Sequence, residues 1–301
     1  MSDTLHPNPP YAFDRLLDFL SRFAYPTLNI VHDGAYRRVF RVDGDLALVE
    51  VRATGTMDQP ALAVEVLNQT GPVASEALLA QVRQVLAVRE ERGAFFQMAR
   101  HDEQLWGIVE PVVGLPALRT ADVYEALTEA VIEQQILWTA AQRAQRWLVE
   151  WGGHRIAYEG ERYYAFPTPE QLAQATVDTL KPLKITFRRM QLLIDLAGEI
   201  VAGRLDLSRL AQMPPEDAYD ELLAIKGIGH WTAAVTLSRA NGRSGYVGHN
   251  DVALQAAVNH YFYGENGRIS AETVRETFER YGEFAGVAAF YVIARWVLDR
   301  Y

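Results

Sequence analysis

The chain contains no cysteine. Disulfides, thiolate-bound zinc, iron–sulfur clusters and thiol nucleophiles are therefore excluded. It also has no run of about 18 apolar residues, the length a membrane-crossing helix needs. Met1 to Pro10 is polar and proline-rich, without the basic and apolar blocks of a secretory leader, so a cytoplasmic location is expected. Basic charge is short as well. Lys and Arg number 29 against 38 Asp and Glu, a net charge of −9. Taken as a sum, that argues against a polyanionic partner, but local distribution decides more. From Lys226 to Asn250 there is no acid, while Lys226, Arg239, Arg243, His230 and His249 are all present. Lys181, Lys184, Arg188 and Arg189 form a second basic cluster. The chain has no His-Glu-x-x-His zinc motif, P-loop or dinucleotide fingerprint.

The 301 residues suffice for two or three domains and a sizeable core. Tyr11 to Phe23 has helical spacing. Short β-rich runs between Asn29 and Leu67, punctuated by Asp33-Gly34 and Asp43-Gly44, predict a small antiparallel sheet. Residues 1–112 are thus expected to form an N-terminal α+β domain, and residues 113–301 a helical one. The fold class is α+β, mainly α. In the second half, Tyr124 to Trp151 reads as one long helix stopped by Gly152-Gly153. Thr168-Pro169-Glu170-Gln171 is a capping box. Thr186 to Val201 and Gly286 to Tyr301 are further amphipathic or apolar helices. No internal repeat or heptad pattern is present.

The most informative segment is Ile225-Lys226-Gly227-Ile228-Gly229-His230-Trp231-Thr232-Ala233. A helix opening at Pro214-Pro215 ends near Ile225, and a second runs from about His230 to Ala240, where Asn241-Gly242 stops it. The helix pair spans about 216–241. Gly227 and Gly229 lack a Cβ, so backbone amides and the N-terminus of the second helix can approach an anion closely. Ile228 would point inward between the helices. Gly-x-Gly alone also serves an ordinary helix corner; the longer string is more specific.

That string resembles the hairpin of the helix-hairpin-helix DNA glycosylase superfamily, and within it most closely the bacterial DNA-3-methyladenine glycosylase II family. The family places an aspartate at the start of a helix some twenty residues after the hairpin, where this chain has Asn250-Asp251-Val252. Val131-Ile132-Glu133-Gln134-Gln135-Ile136, Phe166 to Leu172 and Leu183 to Arg189 also match in kind and order, and Pro10 to Val51 resembles the N-terminal domain of the longer members.

The resemblance implies a monofunctional glycosylase that removes alkylated bases from double-stranded DNA in base excision repair. One hairpin can engage one duplex and no oligomer motif is visible, so a cytoplasmic, nucleoid-associated monomer is expected. Deaminated or etheno purines are the alternative substrates, and a non-catalytic DNA-binding module is the alternative role. Asp251 is the expected catalytic residue: a carboxylate beneath the sugar stabilises its oxocarbenium character and can orient or deprotonate water. Asp is also a favoured N-cap, and the two roles are compatible. Lyase members carry a lysine two residues after the second hairpin glycine, where this chain has Trp231, so strand cleavage is not expected. Trp231 and Trp296, with Trp138, are the expected base-pocket aromatics, able to attract a cationic purine. Gln135 matches the side chain that fills the gap left by a flipped base. Gln134, Lys226, Gly227, Ile228, Gly229, His230 and Thr232 are expected to meet DNA. No cofactor is required; a structural sodium or potassium on the carbonyls of Ile225 and Gly227 is implied. One departure is Val235, where the family has a pocket tyrosine; Phe290 or Tyr291 could compensate.

Overall fold

The computed structural model describes residues 2–242 and 245–300; Arg243 and Tyr301, named above, lie outside the described residues. Strand β1 (Ser2–Leu5) precedes helix α1 (Phe13–Ser21), and β2 (Ile30–His32), β3 (Ala35–Val42), β4 (Asp45–Ala53) and β5 (Leu62–Gln69) follow. They form one antiparallel sheet of order β1-β5-β4-β3-β2. The Asp33-Gly34 and Asp43-Gly44 dipeptides turn β2 into β3 and β3 into β4, with positive φ at all four residues. Alternation sorts the sheet's faces. Tyr36, Phe40, Val42, Ala47, Val49 and Val51 enter the first core, while Val39, Leu46 and Leu48 point the other way.

Helices α2 (Ser75–Val85), α3 (Gly93–Ala99) and α4 (Glu103–Val109) complete the N-terminal part. Next come α5 (Val123–Glu133), α6 (Trp138–Gly152), the hairpin strands β6 (Arg155–Tyr158) and β7 (Glu161–Tyr164), α7 (Pro169–Ala173), α8 (Val177–Leu180), α9 (Phe187–Val201) and α10 (Leu207–Leu210). The chain ends with α11 (Pro215–Ala224), α12 (His230–Asn241), α13 (Val252–Tyr263), α14 (Ala271–Glu279) and α15 (Ala285–Arg300). The capping box at Thr168 and Gln171 is formed.

Three features differ from the sequence expectation. The long helix over 124–151 is two helices, because Gln134 leaves helical geometry and Gln135 adopts φ 53. Tertiary partners hold the break: the Arg189 guanidinium donates to the carbonyls of Ile132 and Gln134. The second half is not purely helical, because the β6–β7 hairpin, turned at Glu159-Gly160, covers the outer face of the sheet through Ile156 and Tyr163. Finally, α13–α15 bury their apolar faces in the core of the N-terminal sheet and α1–α4, through Leu254, Val258, Phe278, Tyr291 and Val292. A second core is built from α5–α12 alone. The chain therefore returns to its first core after completing its second, and the link between α12 and α13 crosses the seam.

Candidate active site at the seam between two cores

Asp251 stands at that crossing. It is the N-cap of α13: its Oδ1 accepts from the backbone N–H of Ala253 at 2.7 Å and of Leu254 at 2.9 Å. Its Oδ2 accepts from the Trp231 indole Nε1 at 2.8 Å. All three partners are donors and both carboxylate oxygens accept, and the α13 N-terminus adds positive potential. Trp231 lies in the first turn of α12, so its bond to Asp251 ties α12, which packs in the second core, to α13, which packs in the first. Gly248 backs onto the same indole: a Cβ there would lie 3.5 Å from Trp231 Cδ1. The loop folds tightly before the aspartate, with Asp251 N–H donating to Gly248 O at 2.7 Å.

The α11–α12 hairpin forms as expected. Ile228 is 5% exposed within the second core, and its N–H donates to Ile225 O at 3.0 Å. The two glycines serve different needs. Gly227 has φ +100, a conformation that strains any other residue, and a Cβ on it would meet the tip of Leu192 of α9 at 2.9 Å, so that side chain would have to move. Gly229 has φ −102, and a methyl group placed on its Cα would meet nothing within 4 Å. The surface there is open, at the N-terminus of α12. Lys226, Gly227 and Gly229 are exposed.

Several residues expected at DNA have other partners. The Gln134 amide donates to Thr232 Oγ1 at 3.0 Å and Gly227 O at 3.2 Å, tying the α5–α6 turn to the hairpin. Thr232 is 3% exposed, so its hydroxyl is an internal contact. The His230 ring is bonded on both nitrogens, by Tyr219 Oη and Val247 O. Arg239 is turned into an acidic row on α5, bidentate to Glu133 at 2.7 and 2.8 Å. Gln135 remains exposed at the tip of the turn, beside Leu137, which is 79% exposed.

The three tryptophans part company. Only Trp231 touches Asp251. Trp138 is half out of the protein and packs edge-on to Phe23 at 5.6 Å, from α6 across to the end of α1. Trp296 is not brought to Asp251. Its ring lies against His260 at 5.6 Å and Tyr261 at 6.0 Å, with the Arg300 guanidinium 3.4 Å from its centre. Those partners are nine and ten residues along α13 from Asp251, roughly 14 Å at the helical rise. The last turns of α15 follow the far end of α13, which sequence spacing along a single helix does not reveal. Tyr291 offers no compensation for Val235. It is 1% exposed, stacks on Phe95 at 5.3 Å and donates to Leu115 O at 3.1 Å.

No group of three His, Cys, Asp or Glu able to hold a metal occurs among the described residues. The carbonyls implied for a monovalent cation each accept one bond inside the protein, Ile225 O from Ile228 N–H and Gly227 O from Gln134. Each keeps a second lone pair. No helix of the described residues is long and apolar enough to cross a membrane.

Two helices closed by a glycine hairpin, followed by a helix whose capping aspartate meets the hairpin tryptophan, define a helix-hairpin-helix architecture. Residues 128–283 match the model of the HhH-GPD superfamily of base excision DNA repair proteins, and residues 4–105 match that of the AlkA N-terminal domain. The chain belongs to the HhH-GPD superfamily. It is 25% identical over 279 residues to a DNA-3-methyladenine glycosylase of Bacillus subtilis, covering 92% of this chain and 91% of that one. It is 28% identical over 233 residues to DNA-3-methyladenine glycosylase 2 of Escherichia coli, covering 76% and 77%. In fold it resembles a 3-methyladenine DNA glycosylase from Archaeoglobus fulgidus, with TM-score 0.83 and 24% identity over 99% of both chains.

Proposed function

We propose that the protein is a monofunctional DNA glycosylase that hydrolyses the N-glycosidic bond of alkylated bases, of the 3-methyladenine type, in double-stranded DNA. The observation that carries this reading is the Asp251 carboxylate, fixed by two α13 amides and the Trp231 indole beside the hairpin. The hairpin amides and the open face at Gly229 take a phosphate. The damaged nucleotide turns into the seam, and the Asp251 charge stabilises the sugar as the bond to the base lengthens. Water then adds to the sugar, oriented by the same carboxylate. Alkylated purines carry a positive charge that weakens this bond, so little acid catalysis is needed, and the Trp231 face attracts them.

The lyase lysine position is held by Trp231, which is committed to Asp251, and Lys226 lies exposed on the other side of the hairpin. Both features support base release without strand cleavage. Gln135, at the exposed tip of its turn, fills the gap in the duplex. A sodium or potassium ion on the free lone pairs of Ile225 and Gly227 would bridge hairpin and phosphate without entering the chemistry. The protein acts as a monomer.

Base release from duplexes carrying 3-methyladenine, 7-methylguanine, ethenoadenine or hypoxanthine tests this reading. The wild type should release the alkylated bases and leave intact abasic strands. Asp251→Asn should lose about 10²–10⁴-fold in rate while still binding the duplex. Unchanged release by Asp251→Asn would remove the assignment.

A further inference from the structure

We infer that His230 is a positioning residue that holds the loop 246–250 in the place from which Asp251 reaches the site. The inference rests on the role given to Asp251 above. Sequence spacing puts His230 beside the hairpin, where an exposed imidazole could meet a phosphate, but the ring is occupied inside the protein. Its Nε2 lies 3.1 Å from Val247 O, and its Nδ1 meets the Tyr219 hydroxyl. A carbonyl only accepts, so Nε2 bears a hydrogen and donates it to Val247 O, while Nδ1 pairs with the Tyr219 hydroxyl.

Stacking reinforces these bonds. His230 stacks on His249 at 4.3 Å, and Tyr219 on Tyr246 at 3.9 Å. Two rings from the hairpin helices thus face two rings from the loop. Val247 O also accepts from His249 N–H at 2.8 Å, and Gly248 O from Asp251 N–H at 2.7 Å. On the far side, Gln255 of α13 donates to His249 O at 3.2 Å. The loop is a tight, bonded unit, so a shift at Val247 carries Asp251 with it. The loop must also cross from the second core to the first, where neither core by itself fixes its path. Displacing a reacting group by about 1 Å can cost roughly 10²-fold in rate.

Single-turnover base release and duplex affinity, measured on the wild type, Asp251→Asn, His230→Phe and His230→Gln, test the inference. Phenylalanine keeps the stack and loses both nitrogens; the glutamine amide can donate to Val247 O. The expected result is a fall of about 10- to 100-fold in rate for His230→Phe, with duplex affinity within about twofold of wild type. His230→Gln should recover most of that loss. A wild-type rate in His230→Phe would overturn the inference while leaving Asp251 in its role. Parallel loss of rate and affinity in both variants would also overturn it, by placing the ring on DNA. No release by the wild type would instead remove the functional reading itself. Should His230→Phe not fold, the ¹⁵N spectrum of the wild-type imidazole decides. An Nε2 proton protected from exchange with water supports the clamp; one that exchanges freely, or a ring protonated on Nδ1 alone, overturns it.

Discussion

The two cores do different work. The first encloses one face of a five-stranded sheet with helices from both ends of the chain. Among its aromatic residues, Phe95 stacks on Tyr291 and Phe96 tilts against both, out of reach of solvent. The second is built from α5–α12 only, and its edge carries exposed apolar and basic groups: Leu137, Phe187, Leu223, Lys184, Arg188 and Lys226. Asp251 meets both: it caps α13, whose apolar face lies in the first core, and is held by the tryptophan at the start of α12, whose apolar face lies in the second.

The bond between the cores that can be broken most sharply is Arg38–Glu125. Arg38, on β3, is 2% exposed and donates to both Glu125 oxygens at 2.6 and 2.7 Å. Glu125, on α5, is 3% exposed. Removing one partner leaves a buried charge unpaired, at a cost of roughly 3–5 kcal/mol. Arg38→Ala should lower stability by about that amount in denaturant titrations. Arg38→Met with Glu125→Leu should recover much of it, because neither charge then needs solvation. If the single and double variants are equally destabilised, the pair is not what joins the cores.

The hairpin divides the same way on a smaller scale. Ala at Gly227 must adopt a left-handed φ and displace Leu192, so Gly227→Ala should cost about 1–3 kcal/mol of stability. Gly229→Ala should leave stability unchanged, because φ and space both admit a methyl. Its loss should appear in duplex affinity, by roughly tenfold, if a phosphate occupies that open face. Melting temperature and affinity measured on both variants separate the fold glycine from the binding glycine. Tight binding by Gly229→Ala would move the phosphate elsewhere.

The hairpin, its inward Ile228 and the capping Asp251 were legible in sequence because each depends on local geometry: glycine conformations, a helix stop, an N-cap. Gln134, Thr232, His230 and Trp296 were not, because their partners come from other elements that the fold brings to them. Gln134 reads as a helix residue until Gly227 and Thr232 are brought to it, 93 and 98 positions on. The α5–α6 break has no glycine or proline to announce it. The acids of α5 look like a solvated face by composition, and only the arrival of Arg38 and Arg239 turns Glu125 and Glu133 inward.

That acidic row gives the finest test of how the second core is held together, since Glu129 on α5 faces Arg239 on α12. Glu125 and Glu133 hold the close ion pairs, while Glu129 between them lies 3.7 Å from Arg239. Burial first, then the charge of Glu125, push Glu129 from 4.5 up to about 8, against the pull of Arg239. Folded, Glu129 keeps its proton to about pH 8; unfolded, it releases it near 4.5. Between those values the folded chain binds the extra proton, so this group makes stability fall as pH rises, by at most about 1.4 kcal/mol per pH unit. Glu129→Gln carries no such proton and should flatten that slope, gaining on the wild type at pH 8 and little at pH 5. Denaturant midpoints at the two pH values measure it. A slope unchanged by the substitution would mean that Glu129 is ionised in the fold. Arg239 would then balance two carboxylates, Glu129 and Glu133.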